Sequence, residues 1–395
     1  MPVTRKAKKG KKEAPSEAPS VDNAAPWTLF TDRKEMLMFS IIFTISQTIY
    51  FLTMYPSMAG GDSGELLTQA VEFGVAHPPG YPLLITLGWV WNKLIPVGTP
   101  VWKLNLLNTI ISSLSNGVIY LTVQQATYNN PAAVLTALWC AFSRLHWTWS
   151  LHYEVFSLNN LLTAGILLSM VKFSKERTGE GLVRGGKVCA VTCGLAMGNQ
   201  HTSILIIIPG AVWVLATLLQ HGVTEFKVWG NIALHGFAGL LLYLQIPLSA
   251  FFATARLYMN DQSSVMNSFL SLKSHVLREH YGTFKLASHE QKPSLSYNCN
   301  HWFTQSSSDF TIVVWLIAVV TVLLSNKLKS STRAVVRLLT AMIAVYMVVF
   351  GSLANLSVDK VSAVLERFWM QPNIILLCIA GNPWGLVYYK NLVNY

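Results

Sequence analysis

Long apolar runs recur along nearly the whole chain, and they limit its possible folds more than any other feature. Each run has about 20 residues, enough for a helix to cross about 30 Å of hydrocarbon. Only 12% of the 395 residues are charged, whereas a soluble domain carries about 25%. The sequence therefore predicts an all-α polytopic membrane protein with about ten spans, at residues 36–55, 104–123, 132–150, 156–172, 187–201, 203–220, 229–250, 310–325, 334–357 and 371–389.

The number of spans stays open between eight and eleven. The run at 187–201 is short, and its boundary with 203–220 is weakly marked. The apolar stretch 81–95 is too short to cross a bilayer. We interpret it as a re-entrant or interfacial helix next to the membrane.

Basic residues predict how the chain is oriented. Residues 1–35 are polar and rich in lysine, so they cannot bury a core and are predicted to be a disordered cytosolic tail. The loops 172–187 and 326–337 are also basic, and positively charged loops stay on the cytosolic side. Threading the spans from a cytosolic N-terminus places all three segments on one side. The net charge of +11 thus reflects topology, and nucleic acid is not predicted as a partner.

The opposite face receives most of the remaining ionisable residues. Within the membrane domain, 36–395, this threading predicts a first non-cytosolic loop at 56–103 and a long one at 251–309. Ionisable groups at a membrane are costly unless they have a function. We therefore expect polar clusters from distant loops to form one site on this face.

Asp62 and Glu65 follow two glycines directly after the first span, and two interpretations stay open. The spacing is that of a capping box, in which both acids satisfy the first turn of a helix. Alternatively, Gly60 and Gly61 let a substrate approach closely, and Asp62 is a catalytic base. A carboxylate at a helix N-terminus is favoured in its ionised form.

Four further side chains are candidates for binding a ligand on this face. His77 lies in a proline-rich turn, His77–Pro82, whose rigidity suits a positioning donor or a plain chain reversal. Glu154 is able to pair with an arginine or to hold a sugar hydroxyl. Asn199 and His201 form either a turn between two spans or part of a ligand site.

Two arginines suit a lipid-linked phosphate, because a guanidinium offers a fork of donors. Arg278 and Arg367 are the candidates, and each is equally able to pair with the glutamate beside it, Glu279 or Glu366. No spacing of ligands predicts a metal, and no phosphate-binding glycine loop predicts a nucleotide donor. No cofactor is therefore expected.

Six segments closely resemble the transmembrane protein 260 family, which are endoplasmic-reticulum protein O-mannosyltransferases of the GT-C superfamily. These segments are Gly60–Leu66, Gly74–Pro82, Glu154–Asn160, Asn199–Thr202, Tyr281–Phe284 and Glu366–Gln371. The resemblance implies a GT-C bundle with luminal juxtamembrane helices and a luminal active site. It also implies a dolichyl-phosphate mannose donor, and Ser/Thr acceptors in IPT domains of plexins and of hepatocyte-growth-factor-receptor-type kinases.

By the same resemblance Asp62 occupies the position of the catalytic base. The candidates for binding donor or acceptor are then Glu65, His77, Tyr81, Glu154, Asn199, His201, Arg278, Glu279, Tyr281 and Arg367. His280 departs from the family pattern, which has a second acid beside Glu279. Longer family members continue into a soluble luminal region, so an inactive GT-C scaffold stays an alternative. A transporter or flippase for a lipid-linked or anionic solute is the other.

Overall fold

The computed structural model describes residues 27–252, 272–279, 293–354 and 362–382, and all regular secondary structure in them is helical. The helices are α1 Arg33–Thr53, α2 Ser63–Glu72, α3 Pro82–Leu94, α4 Pro100–Thr127, α5 Asn130–Ala141, α6 Arg144–Ser150, α7 Val155–Phe173, α8 Gly179–Met197, α9 Ile204–Gln220, α10 Phe226–Leu240, α11 Gln245–Phe252, α12 Leu295–Leu323, α13 Ser330–Leu353, α14 Ser362–Glu366 and α15 Met370–Ala380. The prediction of an all-α polytopic membrane protein is confirmed.

Seven segments in the described residues are long and apolar enough to cross a membrane. They are α1, α4, α7, α12, α13, the segment His201–Gln220 that contains α9, and the segment Phe226–Ser249 that begins with α10. The other three predicted spans differ for specific reasons. The span 132–150 is two short helices, α5 and α6, and α8 carries charged residues near its start. The last predicted span, 371–389, is described only as far as residue 382, and α15 within it has 11 residues.

Basic segments meet at one end of the bundle, as the charge pattern predicts. The Trp27 indole donates to Glu176 Oε1 at 2.8 Å, and Lys172 donates to the carbonyl of Thr28. The ammonium groups of Lys175 and Lys329 lie 4.4 and 5.9 Å from the centre of the Tyr128 ring. The loops 172–187 and 326–337 therefore share one end with the start of the described chain.

Helices α5 and α6 together return the chain to the other end. Helix α4 ends at Thr127, next to Tyr128 in the basic end. Helix α7 begins beside Glu154, which lines a cavity with Asp62. The chain must therefore cross between these two points. Ser143, which lies between α5 and α6, hydrogen-bonds the Cys140 carbonyl at 2.9 Å, so the crossing is bent and not one straight helix.

The predicted tail is shorter than expected. Residues 1–26 lie outside the described part of the chain, but residues 27–35, also assigned to the disordered tail, are folded. Asp32 caps α1 by accepting the Glu35 N–H at 2.8 Å, and the buried Glu35 carboxylate accepts a bond from Gln125 at 3.0 Å. Specific partners on α4 thus order residues whose composition alone predicts disorder.

Helix α12 begins at Leu295 and is kinked at Thr311, whose φ of +63° and ψ of 158° are not helical. The kink lies next to the predicted span start at 310. The polar segment 295–309, which the sequence assigns to the long luminal loop, forms the helical part before the kink. Its polar side chains instead face neighbouring helices: Asn298 donates to the Gly351 carbonyl at 2.8 Å, and Trp302 donates to Asn373 Oδ1 at 2.8 Å. Satisfied polar groups are compatible with a buried helix, so this part of the loop is a packed helix, and its luminal position stays a prediction.

The stretch 81–95 forms α3, as predicted, and this short helix begins at Pro82. Proline is favoured in the first turn because no intrahelical partner exists there for an N–H. The buried Tyr153 hydroxyl donates to the Leu84 carbonyl at 2.7 Å. This bond ties α3 to the segment that carries Glu154.

Candidate active site

One polar cavity collects side chains from six separate segments of the chain. Its volume is about 190 Å³. Polar and charged residues form much of its wall: Asp62, His77, Tyr81, Glu154, Gln200, His201, Thr202, Arg278 and Arg367. Leu66, Pro79, Val155, Phe156, Val364 and Phe368 complete the lining. The expectation that distant polar clusters converge is met.

Seven of the eleven residues that the sequence singled out lie at this cavity: Asp62, His77, Tyr81, Glu154, His201, Arg278 and Arg367. Glu65 stands behind His77, and the buried Asn199 donates to the Val155 carbonyl at 3.1 Å, so neither lines the wall. Glu279 is exposed and lies 3.4 Å from Lys273. Tyr281 lies outside the described residues.

The eleven candidates do not include four further residues that line the cavity, Gln200, Thr202, Phe156 and Phe368. Gln200 directly precedes His201, so its place in the polar run Asn199–His201 was the available signal. Phe156 and Phe368 gave no such signal in the sequence, because an apolar residue beside a span is ordinary. Only the packing shows that they face a polar site.

Asp62 and Arg367 form an ion pair in the cavity wall. Asp62 Oδ2 lies 3.0 Å from Arg367 Nη1, with the aspartate side chain 37% exposed and the arginine 13%. The guanidinium also lies over the rings of Phe156 and Trp149, at 5.1 and 5.6 Å. Aromatic faces attract a cation, so Arg367 is held in place on two sides.

The capping-box interpretation of Asp62 and Glu65 is wrong. Asp62 stands at the N-cap of α2, and the structure describes every residue of this helix. The Asp62 side chain accepts no hydrogen bond from a backbone N–H of α2. Glu65 instead accepts from His77. Gly61, at φ +72°, adopts the left-handed conformation that glycine tolerates best, and this turn directs Asp62 towards Arg367.

Glu154 is the second carboxyl of the cavity, and its environment differs from that of Asp62. Its side chain is 1% exposed, and Oε2 accepts the Val155 N–H at 3.3 Å. Burial raises the pKa of the Glu154 carboxyl to about 8, against the opposing influence of Arg367. Two carboxyls in unlike environments are able to serve as an ionised base and a neutral hydrogen-bond donor.

The raised pKa of Glu154 predicts a pH-dependent stability. The ordinary pKa of 4.5 applies to the unfolded chain, and about 8 to the folded one. Between these values the folded protein holds a proton that the unfolded chain has released. The free energy of unfolding should therefore fall as pH rises through this window, by about 1.4 kcal/mol per unit at most. Thermal unfolding in detergent at pH 5.5 to 8.5 measures it.

The matched variant is Glu154→Gln, whose amide resembles the protonated acid and does not titrate. We expect the unfolding midpoint of Glu154→Gln to vary less with pH than that of the wild type. The midpoint of the variant should exceed the midpoint of the wild type most above pH 8. Equal pH profiles for the two proteins would show that Glu154 is ionised in the folded state.

Glu65, His77 and Tyr81 form a chain of hydrogen bonds that ends at the cavity. Glu65 Oε1 accepts the His77 backbone N–H, and Oε2 lies 2.9 Å from His77 Nδ1. His77 Nε2 lies 3.0 Å from the Tyr81 hydroxyl. Tyr81 has a left-handed backbone, φ +47°, a conformation uncommon for residues with a side chain. Such strained positions concentrate at functional sites.

Another pair of hydrogen bonds anchors the His201 side of the cavity. His201 Nε2 lies 2.7 Å from the Tyr243 hydroxyl, which itself donates to the Met197 carbonyl at 3.1 Å. Helices α8 and α10, which lead to these residues, pack through glycines: a Cβ added to Gly194 would lie 2.1 Å from the Gly236 carbonyl oxygen. Close approach of small residues is a common way to pack membrane helices.

Glu366 pairs with Arg144 and not with its neighbour Arg367. Arg144 Nη2 lies 2.9 Å from Glu366 Oε2, and Arg144 Nε lies 3.3 Å from Asp309 Oδ1. The short α14 segment is thereby tied to α6 and α12. Arg367 is left to meet Asp62, so the alternative of a neighbouring Glu366–Arg367 pair is wrong.

The interior below the cavity is closed by packed polar side chains. Thr202 donates to Gln371 Oε1 at 3.1 Å, and the Gln371 amide donates to Thr163 at 3.1 Å. Ser203 donates to Asn159 Oδ1 at 3.0 Å. Asn159, Ser203 and Gln371 are almost completely buried. In the described residues, a packed polar layer therefore lies behind Thr202, which lines the cavity.

Within residues 27–252, 272–279, 293–354 and 362–382, no three His, Cys, Asp or Glu side chains stand close enough to hold a metal ion. That no metal or other cofactor takes part stays a prediction. Chemically, the cavity offers a carboxylate, a neutral carboxyl and two guanidinium groups. This set suits proton transfer beside an anionic leaving group.

Comparison with known proteins identifies the family. Residues 62–223 match the family model described as the protein O-mannosyl-transferase TMEM260 N-terminal domain. The chain is 33% identical over 360 residues to protein O-mannosyl-transferase TMEM260 of Mus musculus, covering 91% of this chain and 50% of that protein. The chain is related to the transmembrane protein 260 family. The family resemblance that the motifs indicate is thus confirmed.

A second relative, tmem260 of Dictyostelium discoideum, is 31% identical over 363 residues, 86% of this chain and 43% of that protein. The chain thus spans about half the length of the curated relatives it matches. The transmembrane protein 260 fold also resembles a solved structure, ArnT from Cupriavidus metallidurans bound to undecaprenyl phosphate. The TM-score is 0.57 at 13% identity, covering 91% of this chain and 62% of ArnT. This likeness confirms the predicted GT-C fold.

Proposed function

We propose that the chain is the membrane domain of an inverting protein O-mannosyltransferase of the endoplasmic reticulum. Its donor is dolichyl-phosphate mannose, and its acceptors are Ser/Thr residues of luminal IPT domains of the plexin and hepatocyte-growth-factor-receptor type. The observation that carries this proposal is the Asp62–Arg367 ion pair in the cavity wall. It supplies a base and a phosphate-binding cation side by side, in a chain related to proteins named O-mannosyl-transferases.

The proposed reaction needs one base and one anion-binding group. Asp62 takes the proton of the Ser/Thr hydroxyl while its oxygen bonds to the anomeric carbon of mannose, and the bond to the phosphate oxygen breaks. Configuration inverts, and dolichyl phosphate leaves with the bonding electrons. A placed general base is worth about 10²- to 10⁴-fold in rate. Arg367 stabilises charge on the leaving phosphate, with Arg278 as a second cation of the same cavity.

The ion pair also sets an order of binding under this proposal. The donor phosphate competes with Asp62 for Arg367, because a guanidinium binds phosphate and carboxylate through the same donors. When the phosphate takes Arg367, the Asp62 carboxylate is released to accept the proton of the acceptor hydroxyl. The donor therefore binds before the acceptor.

A transporter or flippase is the competing class, and the closed interior weighs against it. A transporter usually places its polar groups near the middle of the membrane, on interrupted helices. Here, within the described residues, the packed layer of Asn159, Ser203 and Gln371 lies behind the polar cavity. A packed layer behind the cavity favours chemistry over passage through the bundle.

The decisive experiment is a transfer assay with purified components. The chain in lipid nanodiscs is incubated with dolichyl-phosphate mannose and an isolated IPT domain, and mass spectrometry detects one added hexose. The matched control acceptor carries alanine at each modified Ser/Thr. Absence of hexose on the intact acceptor, under conditions where a full-length relative adds it, would support the inactive scaffold instead.

The proposal also places the cavity in the lumen and the basic end in the cytosol. A cysteine introduced at Glu279, which is exposed near the cavity end, should react with a membrane-impermeant thiol reagent only after microsomes are permeabilised. A cysteine introduced at Lys329 should react in intact microsomes. The reverse pattern would contradict the orientation and leave the chemistry untested, so transfer is assayed separately.

A further inference from the structure

The Glu65 carboxylate decides which nitrogen of His77 carries a proton. An ionised carboxylate has only acceptors, so Nδ1, which faces Oε2 at 2.9 Å, is an N–H donor. In the neutral ring Nε2 is then an acceptor. When the ring is neutral, the proton in the 3.0 Å contact between Nε2 and the Tyr81 hydroxyl therefore comes from the phenol.

This arrangement fixes what Tyr81 is able to offer to a ligand. Its one proton is given to His77, and the lone pairs on its oxygen stay available. Burial raises the pKa of the Tyr81 phenol above its ordinary value, so it stays a neutral hydroxyl. Tyr81 is therefore an acceptor at a cavity wall where Glu154, mostly protonated below pH 8, is a donor.

We propose that Glu65 and His77 are positioning residues that present the Tyr81 oxygen as a hydrogen-bond acceptor to one hydroxyl of the transferred sugar. This inference rests on the proposed mannosyl transfer. Asp62, Arg367 and Tyr81 line one cavity of about 190 Å³, so a sugar bound there against the base and the arginine also meets the wall that carries Tyr81. A sugar hydroxyl donates readily, and a hydrogen-bond donor is what an acceptor oxygen at this wall requires.

The first test compares wild type and Tyr81→Phe with a series of donor analogues. In each analogue one mannose hydroxyl is replaced by hydrogen or by fluorine. For the natural donor we expect Tyr81→Phe to lower kcat/KM by about 3- to 10-fold, the size of one neutral hydrogen bond. For one deoxy donor, and for the donor with fluorine at the same position, the kcat/KM of the wild type divided by that of Tyr81→Phe should fall to roughly one. Taking this ratio cancels the intrinsic reactivity of each analogue.

The outcome with fluorine tests the polarity, because a C–F group is unable to donate a hydrogen bond. If the wild type keeps its advantage with that fluoro donor but loses it with the deoxy donor, Tyr81 is a donor and the inference is wrong. If no analogue changes the ratio, Tyr81 contacts no sugar hydroxyl and the inference is also wrong. Absence of transfer by the wild type would instead overturn the proposed function.

The second test is a double-mutant cycle that separates positioning from simple support of the loop. In Glu65→Gln the side chain has one acceptor oxygen, whereas the backbone N–H and the Nδ1–H of His77 each need an acceptor. The ring nitrogen that carries the proton is then no longer fixed. We expect it to slow transfer several-fold in the wild type but to have no further effect in Tyr81→Phe. Equal effects in both backgrounds would show that Glu65 only holds the loop, and would overturn its positioning role.

A matched control is Glu72→Gln, which makes the same change on α2 outside the cavity lining. Introduced into both the wild type and Tyr81→Phe, it should leave the ratio of their kcat/KM values unchanged for every donor. Unfolding midpoints measured for all variants identify any that are merely unstable. The rate comparison is then restricted to proteins that remain folded at the assay temperature.

Discussion

Asp62→Asn is expected to reduce mannose transfer by about 10²- to 10⁴-fold, the contribution of a placed general base. Asparagine keeps the shape of the side chain but does not accept a proton at neutral pH. The side chain is 37% exposed and caps no helix, so the substitution should leave the fold intact. Initial rates with dolichyl-phosphate mannose and an IPT domain measure the loss.

The same variant should bind the leaving lipid at least as tightly as the wild type. Arg367 is partly buried, and in Asp62→Asn it no longer has a carboxylate 3.0 Å away. It is then free to bind the phosphate of dolichyl phosphate. Glu225→Gln, an acid at the start of α10 outside the cavity lining, is the matched control. Near-normal transfer by a folded Asp62→Asn would refute the assignment of the base.

Arg367→Gln is expected to lower transfer by about 10²- to 10³-fold, as the loss of one preorganised donor to developing charge does elsewhere. Unlike the Asp62 variant, it should also weaken binding of dolichyl phosphate. Arg367 is held between Asp62 and the rings of Phe156 and Trp149. Its position is therefore set before the donor arrives. Equilibrium binding of dolichyl phosphate in nanodiscs and transfer rates together measure both effects.

Arg367→Lys separates charge from geometry. Lysine keeps one positive charge but loses the planar fork and much of the stacking on aromatic rings, so we expect partial recovery of phosphate binding. Arg337→Gln, an arginine at the basic end that donates to Asn326, is the matched control and should transfer normally. If Arg367→Gln keeps normal affinity for dolichyl phosphate, the phosphate role passes to Arg278.

Local patterns account for the parts of the site that the sequence predicts well. The glycines before Asp62 and the prolines after His77 impose turns whose conformations depend on residues next to each other. The basic loops impose one orientation on all the helices between them. Together these patterns predict that Asp62, Glu154, His201 and Arg367 share one end of the bundle, and the structure brings all four to one cavity.

Pairings between distant residues could not be predicted in this way. Glu366 is adjacent to Arg367 in sequence but bonds Arg144, more than 200 residues away. Asp62 and Glu65 have capping-box spacing, yet each finds a stronger partner outside α2, Arg367 and His77. Charged side chains pair with the opposite charges that the fold brings near them. Spacing along the chain predicts only contacts between residues that are close in sequence.

The sequence by itself determined that this chain is a bundle of membrane helices, with its basic loops at one end and most of its other ionisable groups at the opposite end. Apolar length and the distribution of basic residues are properties of each segment, so they need no knowledge of packing. Only the tertiary structure decided which carboxyl is paired and which is buried. Asp62 meets Arg367, whereas burial of Glu154 raises its pKa to about 8, because solvent exposure and charge partners depend on how distant helices pack.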